Sequence, residues 1–276
     1  MQDDALLSET PGPGSDGGGR IRVVIQQPSL AKYRLPVYRS LSSRPGVELT
    51  LLYSSEPGIP NVDPVGIDAE LCRTIVLPKK LRWSTAHARA MDPRRFDVAI
   101  VSWSSRTLSL LPALWRGRRA GVGLVAWGHG YSKRERWWRK RIRRWIARHA
   151  DALLFYNHAA RDRHVSEGDD PARCFVAINS LDQDPINEAR GNTLADPDAL
   201  SAFRDREGID PEQTLLYVSR LDPDNRVDML LRSVATLGDR YPRLKAVIVG
   251  NGEHAEELRS LARSLGIEKD IRFLGA

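Results

Sequence analysis

Arg220 stands just past an apolar run at 215–218 and ahead of a segment carrying Val227, Leu230, Leu231, Val234 and Leu237. The spacing i, i+3, i+4, i+7, i+10 gives that segment one apolar face, so it reads as a helix. An arginine between the carboxyl end of a strand and a helix N-terminus meets two conditions for holding a diphosphate. Backbone N–H groups point outward there, and a guanidinium forks onto phosphate oxygens. The plainer alternative is a surface arginine pairing with Asp222 or Asp224. His129 lies between Gly128 and Gly130 after the run 124–127, where glycines allow close approach and imidazole donates to a phosphate or sugar oxygen. A histidine satisfying turn carbonyls is its ordinary counterpart.

Residues 133–148 hold nine Lys/Arg and one acid, interleaved with Trp137, Trp138 and Trp145. On a helix, Trp138, Ile142, Trp145 and Ile146 share one face, and basic side chains cover most of the rest. Two readings fit: a helix packed on a sheet with a solvated basic face, or an interfacial helix on anionic lipid heads. Both hold at once if the stripe packs inward while Arg139, Arg143 and Arg144 face the lipid. Nucleic acid is disfavoured because no recognised binding module surrounds the patch. Gly250-Asn-Gly252-Glu-His-Ala255 fits a dinucleotide fingerprint formally, but no ribose-binding acid follows at the needed distance, so it reads as a tight strand-to-helix turn. No Ser/His/Asp or Cys/His constellation is discernible, and six scattered histidines give no metal spacing.

The elements that must position these residues follow a rhythm. Apolar runs at 21–25, 49–53, 74–77, 98–103, 124–127, 153–156 and 174–178 alternate with longer stretches at 35–43, 107–118, 133–149 and 159–167. Runs apolar at nearly every position fit strands covered on both faces, and the alternation predicts a mostly parallel, doubly wound α/β sheet. Residues 1–19 are polar and Gly/Pro-rich and read as a disordered tail. The first domain then spans 20–185, and the stretch 182–198 is polar and turn-rich. A connection with a leading helix is expected over 186–212. The pattern resumes over 213–276 with runs at 215–218, 246–249 and 271–274. This second unit ends on a strand, leaving apolar surface open unless something covers it.

Composition narrows the class. The 276 residues are 41% hydrophobic and 28% charged, which excludes collagen-like and low-complexity chains. Two cysteines, Cys72 and Cys174, cannot build a disulfide framework and fit a reducing compartment. Neither a membrane-length apolar run nor a signal-peptide h-region is evident, so the expectation is a cytoplasmic protein, peripheral at the inner face of the membrane. The net charge of +7 is uneven: residues 1–185 carry +10 and residues 186–276 carry −3. The first part should therefore be drawn to an anionic partner.

Several motifs in order point further. They include Tyr217-Val-Ser-Arg-Leu-Asp-Pro-Asp-Asn-Arg-Val-Asp, then Val247-Ile-Val-Gly-Asn-Gly-Glu, then Ile271-Arg-Phe-Leu-Gly. Earlier stand Tyr33-Arg-Leu-Pro-Val-Tyr-Arg, Trp127-Gly-His-Gly, and Ala150-Asp-Ala-Leu-Leu followed by Ile178-Asn-Ser-Leu-Asp. Together, from about residue 20 to residue 276, the chain resembles family 4 (group 1) glycosyltransferases of the GT-B fold. The resemblance implies two Rossmann-like domains facing a cleft, the second incomplete. It implies retaining transfer of a sugar from a nucleotide-diphosphate donor to a glycan or lipid-linked acceptor in envelope or polysaccharide synthesis, without cofactor or metal. It places Arg220 on the donor diphosphate with Asn225 and Arg226 assisting, His129 in the catalytic cleft, and Tyr33 and Arg34 on the acceptor side. The basic pattern of 133–148, read from its residues alone, leaves the anionic membrane surface to Arg139, Arg143 and Arg144.

Two departures stand out. Many relatives carry a lysine where this chain has Asn225, and a Gly-Gly loop where it has Gln26-Gln-Pro-Ser. Relatives also carry a glutamate pair, seven residues apart, beyond the Arg-Phe-Leu-Gly strand. The sequence given stops before it, so a truncated or inactive protein is the rival expectation. A basic membrane- or nucleic-acid-binding protein without catalysis is another.

Overall fold

The computed structural model describes residues 19–55, 60–78, 81–131 and 137–276. The tail expected over 1–19 lies outside these, Gly19 excepted. The chain forms two compact units that divide between Asp182 and Gln183.

Unit 1 contains, in chain order, β1 (Ile21–Gln27), α1 (Leu35–Ser42), β2 (Val47–Tyr53), β3 (Asp68–Leu71), β4 (Thr74–Leu77), β5 (Leu81–Ser84), α2 (Thr85–Ala90) and β6 (Val98–Ser102). It continues with α3 (Leu110–Ala120), β7 (Gly123–Gly128), α4 (Trp137–His149), β8 (Ala152–Phe155), α5 (His158–Ser166) and β9 (Cys174–Val176). Seven strands form one sheet in the order β3-β2-β1-β6-β7-β8-β9. All its pairings are parallel; Val24 lies opposite Ala99, and Ile25 opposite Leu51. Alternate residues explain why the runs are apolar throughout. Val24, Leu52, Ala99, Leu124 and Leu153 enter one core with Leu114 and Ile146. Ile25, Leu49, Leu51 and Trp127 enter a second core with Leu35 and Tyr38. Successive side chains point to opposite faces, so helices must cover both. Each large aliphatic group so buried contributes roughly 1.5–3 kcal/mol of transfer free energy.

The run 74–77 does not join that sheet. It pairs antiparallel with Leu81–Ser84 as a separate hairpin, and Asp68–Leu71 takes the sheet edge instead. Ile75 and Val76 of this hairpin remain exposed. The sheet order reverses at β1, whose neighbours β2 and β6 lie on opposite sides. The crevice outside the carboxyl ends of strands at such a switch point is where open α/β sheets bind ligands.

Unit 2 contains α6 (Asp184–Ala195), α7 (Pro197–Glu207), β10 (Thr214–Val218), α8 (Val227–Leu237), β11 (Lys245–Val249), α9 (Ala255–Ser264) and β12 (Ile271–Gly275). The stretch expected to be turn-rich, 182–198, is mostly helical. Pro185 and Pro197 sit at helix starts, where proline's missing N–H costs nothing, and Asp196 caps α7 by accepting from the Ala199 N–H at 2.9 Å. The strands pair in parallel in the order β10-β11-β12. Leu231 and Val234 of α8 and Leu258 and Ala262 of α9 share one core with Ala246 and Ile248. On β10, Leu216 and Val218 stay exposed. Among the described residues no helix is long and apolar enough to cross a membrane.

Candidate functional site

In unit 1 the strand ends gather residues far apart in sequence. Arg34 closes a short 3-10 turn before α1 and reaches across the carboxyl ends of the sheet. Its Nη2 donates to the Tyr156 hydroxyl at 3.0 Å, Nη1 to Gln27 Oε1 at 3.2 Å, and Nε to the Tyr33 hydroxyl at 3.3 Å. The guanidinium carbon sits 4.8 Å from the Trp127 ring centroid, a cation–π contact. The His129 ring packs 4.6 Å from Tyr156. Tyr156 thus links His129 to Arg34, and Tyr33 completes the group. Burial against this aromatic floor, and then the charge of Arg34, push the His129 imidazole below the ordinary histidine range. It is a neutral hydrogen-bonding group at pH 7.

The turn carrying His129 is held from beneath. His164 is buried between Asp169, 2.7 Å from its Nδ1, and the Gly130 carbonyl, 3.2 Å from its Nε2. Gly130 has φ +67, and a Cβ there would strike the His164 ring. Only glycine satisfies both the backbone conformation and the contact.

A cavity of about 260 Å³ opens beside this turn, lined among others by His129, Tyr131, Arg106, Arg139 and Arg143. This corrects the expectation that Arg139, Arg143 and Arg144 together face a membrane. Arg143 is only 7% exposed, and burial and the charge of Arg163 push its guanidinium down from its usual range. Arg139 lines the cavity and stacks over Trp138, 5.1 Å from the ring centroid. Arg144 is tied to Glu167, 3.6 Å from its carboxylate and donating to its carbonyl at 3.2 Å. The apolar stripe does pack inward, with Ile146 buried and Ile142 and Trp145 against the same core. That sets the rotation of α4, leaving Trp137, Lys140, Arg141 and Arg148 as its exposed members. The basic residues at 133–136 lie outside the described residues.

In unit 2 the Arg220 turn is built by backbone crowding. Gly250, with φ +143, lies so close to the Ser219 carbonyl that any Cβ would overlap it, and a Cβ on Gly252 would meet the Leu221 backbone. The Leu221 N–H donates to the Asn251 carbonyl at 3.0 Å, joining the turns that leave β10 and β11. Arg220 has its side chain 70% exposed and pairs with Asp222 at 3.1 Å, the plainer alternative weighed from sequence. Asn225 serves the turn itself: Nδ2 donates to the Arg220 carbonyl at 2.7 Å, and its own carbonyl accepts from the Tyr217 hydroxyl at 2.6 Å. Arg226 adopts φ +51, unique among described non-glycine residues, and pairs with Asp228 at 3.0 Å. The Arg226 side chain does not cap α8, and while the Met229 N–H donates to the Arg226 carbonyl at 3.0 Å, the Val227 and Asp228 N–H groups have no partner among the described residues and are left for a ligand. Arg220, Asn225 and Arg226 therefore share one turn, as expected, with unequal freedom.

Tyr156, Trp127 and Gln27 are the participants that sequence reasoning did not single out. Trp127 and Gln27 entered the sequence reading only as members of the Trp127-Gly-His-Gly and Gln26-Gln-Pro-Ser stretches, and Tyr156 only as the end of an apolar run. Among the described residues no group of three or more His, Cys, Asp or Glu is placed to hold a metal ion.

The profile of the family Glycosyl transferases group 1 matches residues 201–276. The GDP-mannose-dependent alpha-(1-6)-phosphatidylinositol monomannoside mannosyltransferase of Mycolicibacterium smegmatis is 32% identical over 173 residues, covering 60% of this chain and 42% of that enzyme. The alpha-D-kanosaminyltransferase of Streptomyces kanamyceticus is 27% identical, covering 49% and 34%. The match thus spans less than half the length of these relatives. Anabaena HepE, solved in complex with UDP, superposes with a TM-score of 0.61 at 16% identity, covering 93% of this chain and 69% of that one. A Neisseria meningitidis UDP-GlcNAc 2-epimerase superposes with a TM-score of 0.53 at 12% identity, covering 93% and 72%.

Fold and strand-end turns define a GT-B protein with two parallel-sheet units. Over residues 201–276 the chain is similar to the group 1 glycosyltransferases, and the curated relatives that it matches in part are glycosyltransferases as well.

Proposed function

We propose that the protein transfers a sugar, with retention of anomeric configuration, from a nucleotide-diphosphate donor to a glycan or lipid-linked acceptor. The observation that carries this reading is the uncapped N-terminus of α8 beside the exposed guanidinium of Arg220. As the bond to the anomeric carbon breaks, negative charge grows on the departing diphosphate. A fixed cation and fixed N–H dipoles stabilise that charge without reorganising. Asp222 now occupies Arg220, so the diphosphate must displace it; Arg226 is likewise engaged by Asp228 and assists only after releasing it. On the acceptor side, neutral His129 orients a hydroxyl or phosphate oxygen, while Arg34 and Tyr33 line the approach. The arginines Arg106, Arg139 and Arg143 favour an acceptor that carries negative charge near the reacting hydroxyl. Membrane attachment, in this reading, falls to the exposed edge of α4.

Amide chemical shifts followed during titration with UDP, GDP and their nucleosides test the donor site. Saturable shifts over 219–228 with the diphosphates and none there with the nucleosides support it. Shifts confined to unit 1, or equal shifts with nucleosides, would refute the diphosphate assignment.

A further inference from the structure

A second cavity, of about 210 Å³, lies outside the carboxyl ends of β1, β2 and β6, at the point where the sheet order reverses. No role assigned so far uses it. Its lining is dominated by hydroxyls: Ser54, Thr74, Ser84, Ser102, Ser104 and Thr107. Several are already ordered, Thr74 Oγ1 donating to Ser54 Oγ at 2.8 Å and Ser54 Oγ standing 3.4 Å from Ser84 Oγ. Gln26 is buried at the wall and accepts from the Ser102 N–H at 3.2 Å, which leaves its amide N–H groups for other use.

His87 lines the same cavity and is only 2% exposed. Its Nδ1 lies 3.1 Å from Ser109 Oγ, whereas its buried Nε2 has no hydrogen-bond partner among the described residues. A buried polar atom left unpaired costs roughly 1–3 kcal/mol, so such atoms in native proteins call for an explanation. Burial lowers the imidazole to about 4, so the ring is neutral at pH 7 and offers a hydrogen bond rather than a charge. Among the described lining residues there is no carboxylate and a single cation, Arg82.

We infer that this cavity binds a single neutral polyhydroxylated six-membered ring, a pyranose or a cyclitol, with His87 Nε2 hydrogen-bonded to one ring hydroxyl. The chemistry fits at three points. Hydroxyl and amide groups that both donate and accept match the alternating hydroxyls of such a ring. The volume falls below the ~300–1,000 Å³ of drug-sized sites, which suits one ring rather than two. Ser102 and Ser104 also line the arginine-bearing cavity beside His129, so a ring held here continues into a site suited to negative charge. The ring is then the specificity-determining part of the acceptor. Only that last identification rests on the glycosyltransferase reading; ring binding is measured without it.

The test is titration of the 276-residue chain with myo-inositol, with methyl α-mannopyranoside and with inorganic phosphate, observing the imidazole nitrogens by two-dimensional nuclear magnetic resonance. The His87 signals are assigned by their absence in His87→Gln. A saturable shift of Nε2 with either ring compound, and none with phosphate, is the expected result; which ring shifts it tells cyclitol from pyranose. Thr107→Val, which keeps side-chain shape, should weaken binding by at least about 10-fold and guards against a His87 variant that fails to fold. A shift with phosphate alone makes the cavity an anion site and overturns the inference, as does no shift with either ring at 100-fold molar excess or unchanged binding in Thr107→Val. Failure of UDP or GDP to shift unit 2 would refute the donor reading instead, leaving the ring-binding result standing.

Discussion

Replacing Arg220 by alanine isolates the charge proposed to meet the donor. The side chain is 70% exposed and its ion pair with Asp222, at 3.1 Å, is solvated. Exposed pairs contribute about 0–1 kcal/mol, so the substitution should lower the melting temperature of a domain this size by no more than roughly 4–8 °C. Binding should suffer more. A hydrogen bond to a charged group is worth about 1.5–3 kcal/mol, and the guanidinium offers one or two of them to the diphosphate. Part is lost in releasing Asp222, so a net of about 1.5–3 kcal/mol remains, equivalent to a roughly 10- to 150-fold weaker complex. Calorimetry with UDP and GDP, beside uridine and guanosine, reads this directly. The loss should be confined to the diphosphates and shrink as salt rises. Asp222→Ala should move affinity the opposite way, since the diphosphate no longer competes with a carboxylate. Unchanged diphosphate affinity in Arg220→Ala, or an equal loss with the nucleosides, would show that the uncapped α8 terminus binds without this arginine and that the argument is wrong.

Further outcomes follow from the packing. Gly130→Ala places a Cβ on the His164 ring at φ +67, and should destabilise unit 1 by roughly 1–3 kcal/mol in urea titration, with His164→Ala partly relieving it. Trp137→Ala with Arg141→Glu and Arg148→Glu should release the chain from anionic vesicles in flotation while leaving circular dichroism unchanged. Arg143→Glu, at a buried position, should instead unfold α4 before any membrane effect can be read. His87 has a folded-state value of about 4 against 6.5 unfolded, so the unfolded chain takes up the proton first as pH falls. Its contribution is complete above pH 6.5 and is lost between 6.5 and 4, amounting to about 3 kcal/mol. Urea midpoints at pH 7.5, 5.5 and 4 should therefore fall more steeply in the wild type than in a folded His87→Gln.

What the sequence determined by itself is the set of features encoded within a few residues of one another. Largely apolar runs such as 21–25 and 49–53 dictate strands buried on both faces, because an alternating pattern would leave one face wet. Arg220 and Asn225 lie five residues apart, so a strand end and a helix start place them in one turn wherever the unit sits. Tertiary structure decided what local pattern leaves degenerate. Residues 74–77 satisfy a strand pattern equally well in a sheet or a hairpin, and only the competition for the edge of β2, won by Asp68–Leu71, settles it. The basic residues of α4 look alike in sequence. The rotation of α4 against Leu114 and Phe155 buries Arg143 and exposes Arg141. The Arg34–Tyr156 bond joins residues 122 apart, and the cavity around His87 draws hydroxyls from several strand ends. No local spacing records such meetings, because the parallel crossovers that bring those ends together are fixed by the packing of the whole sheet.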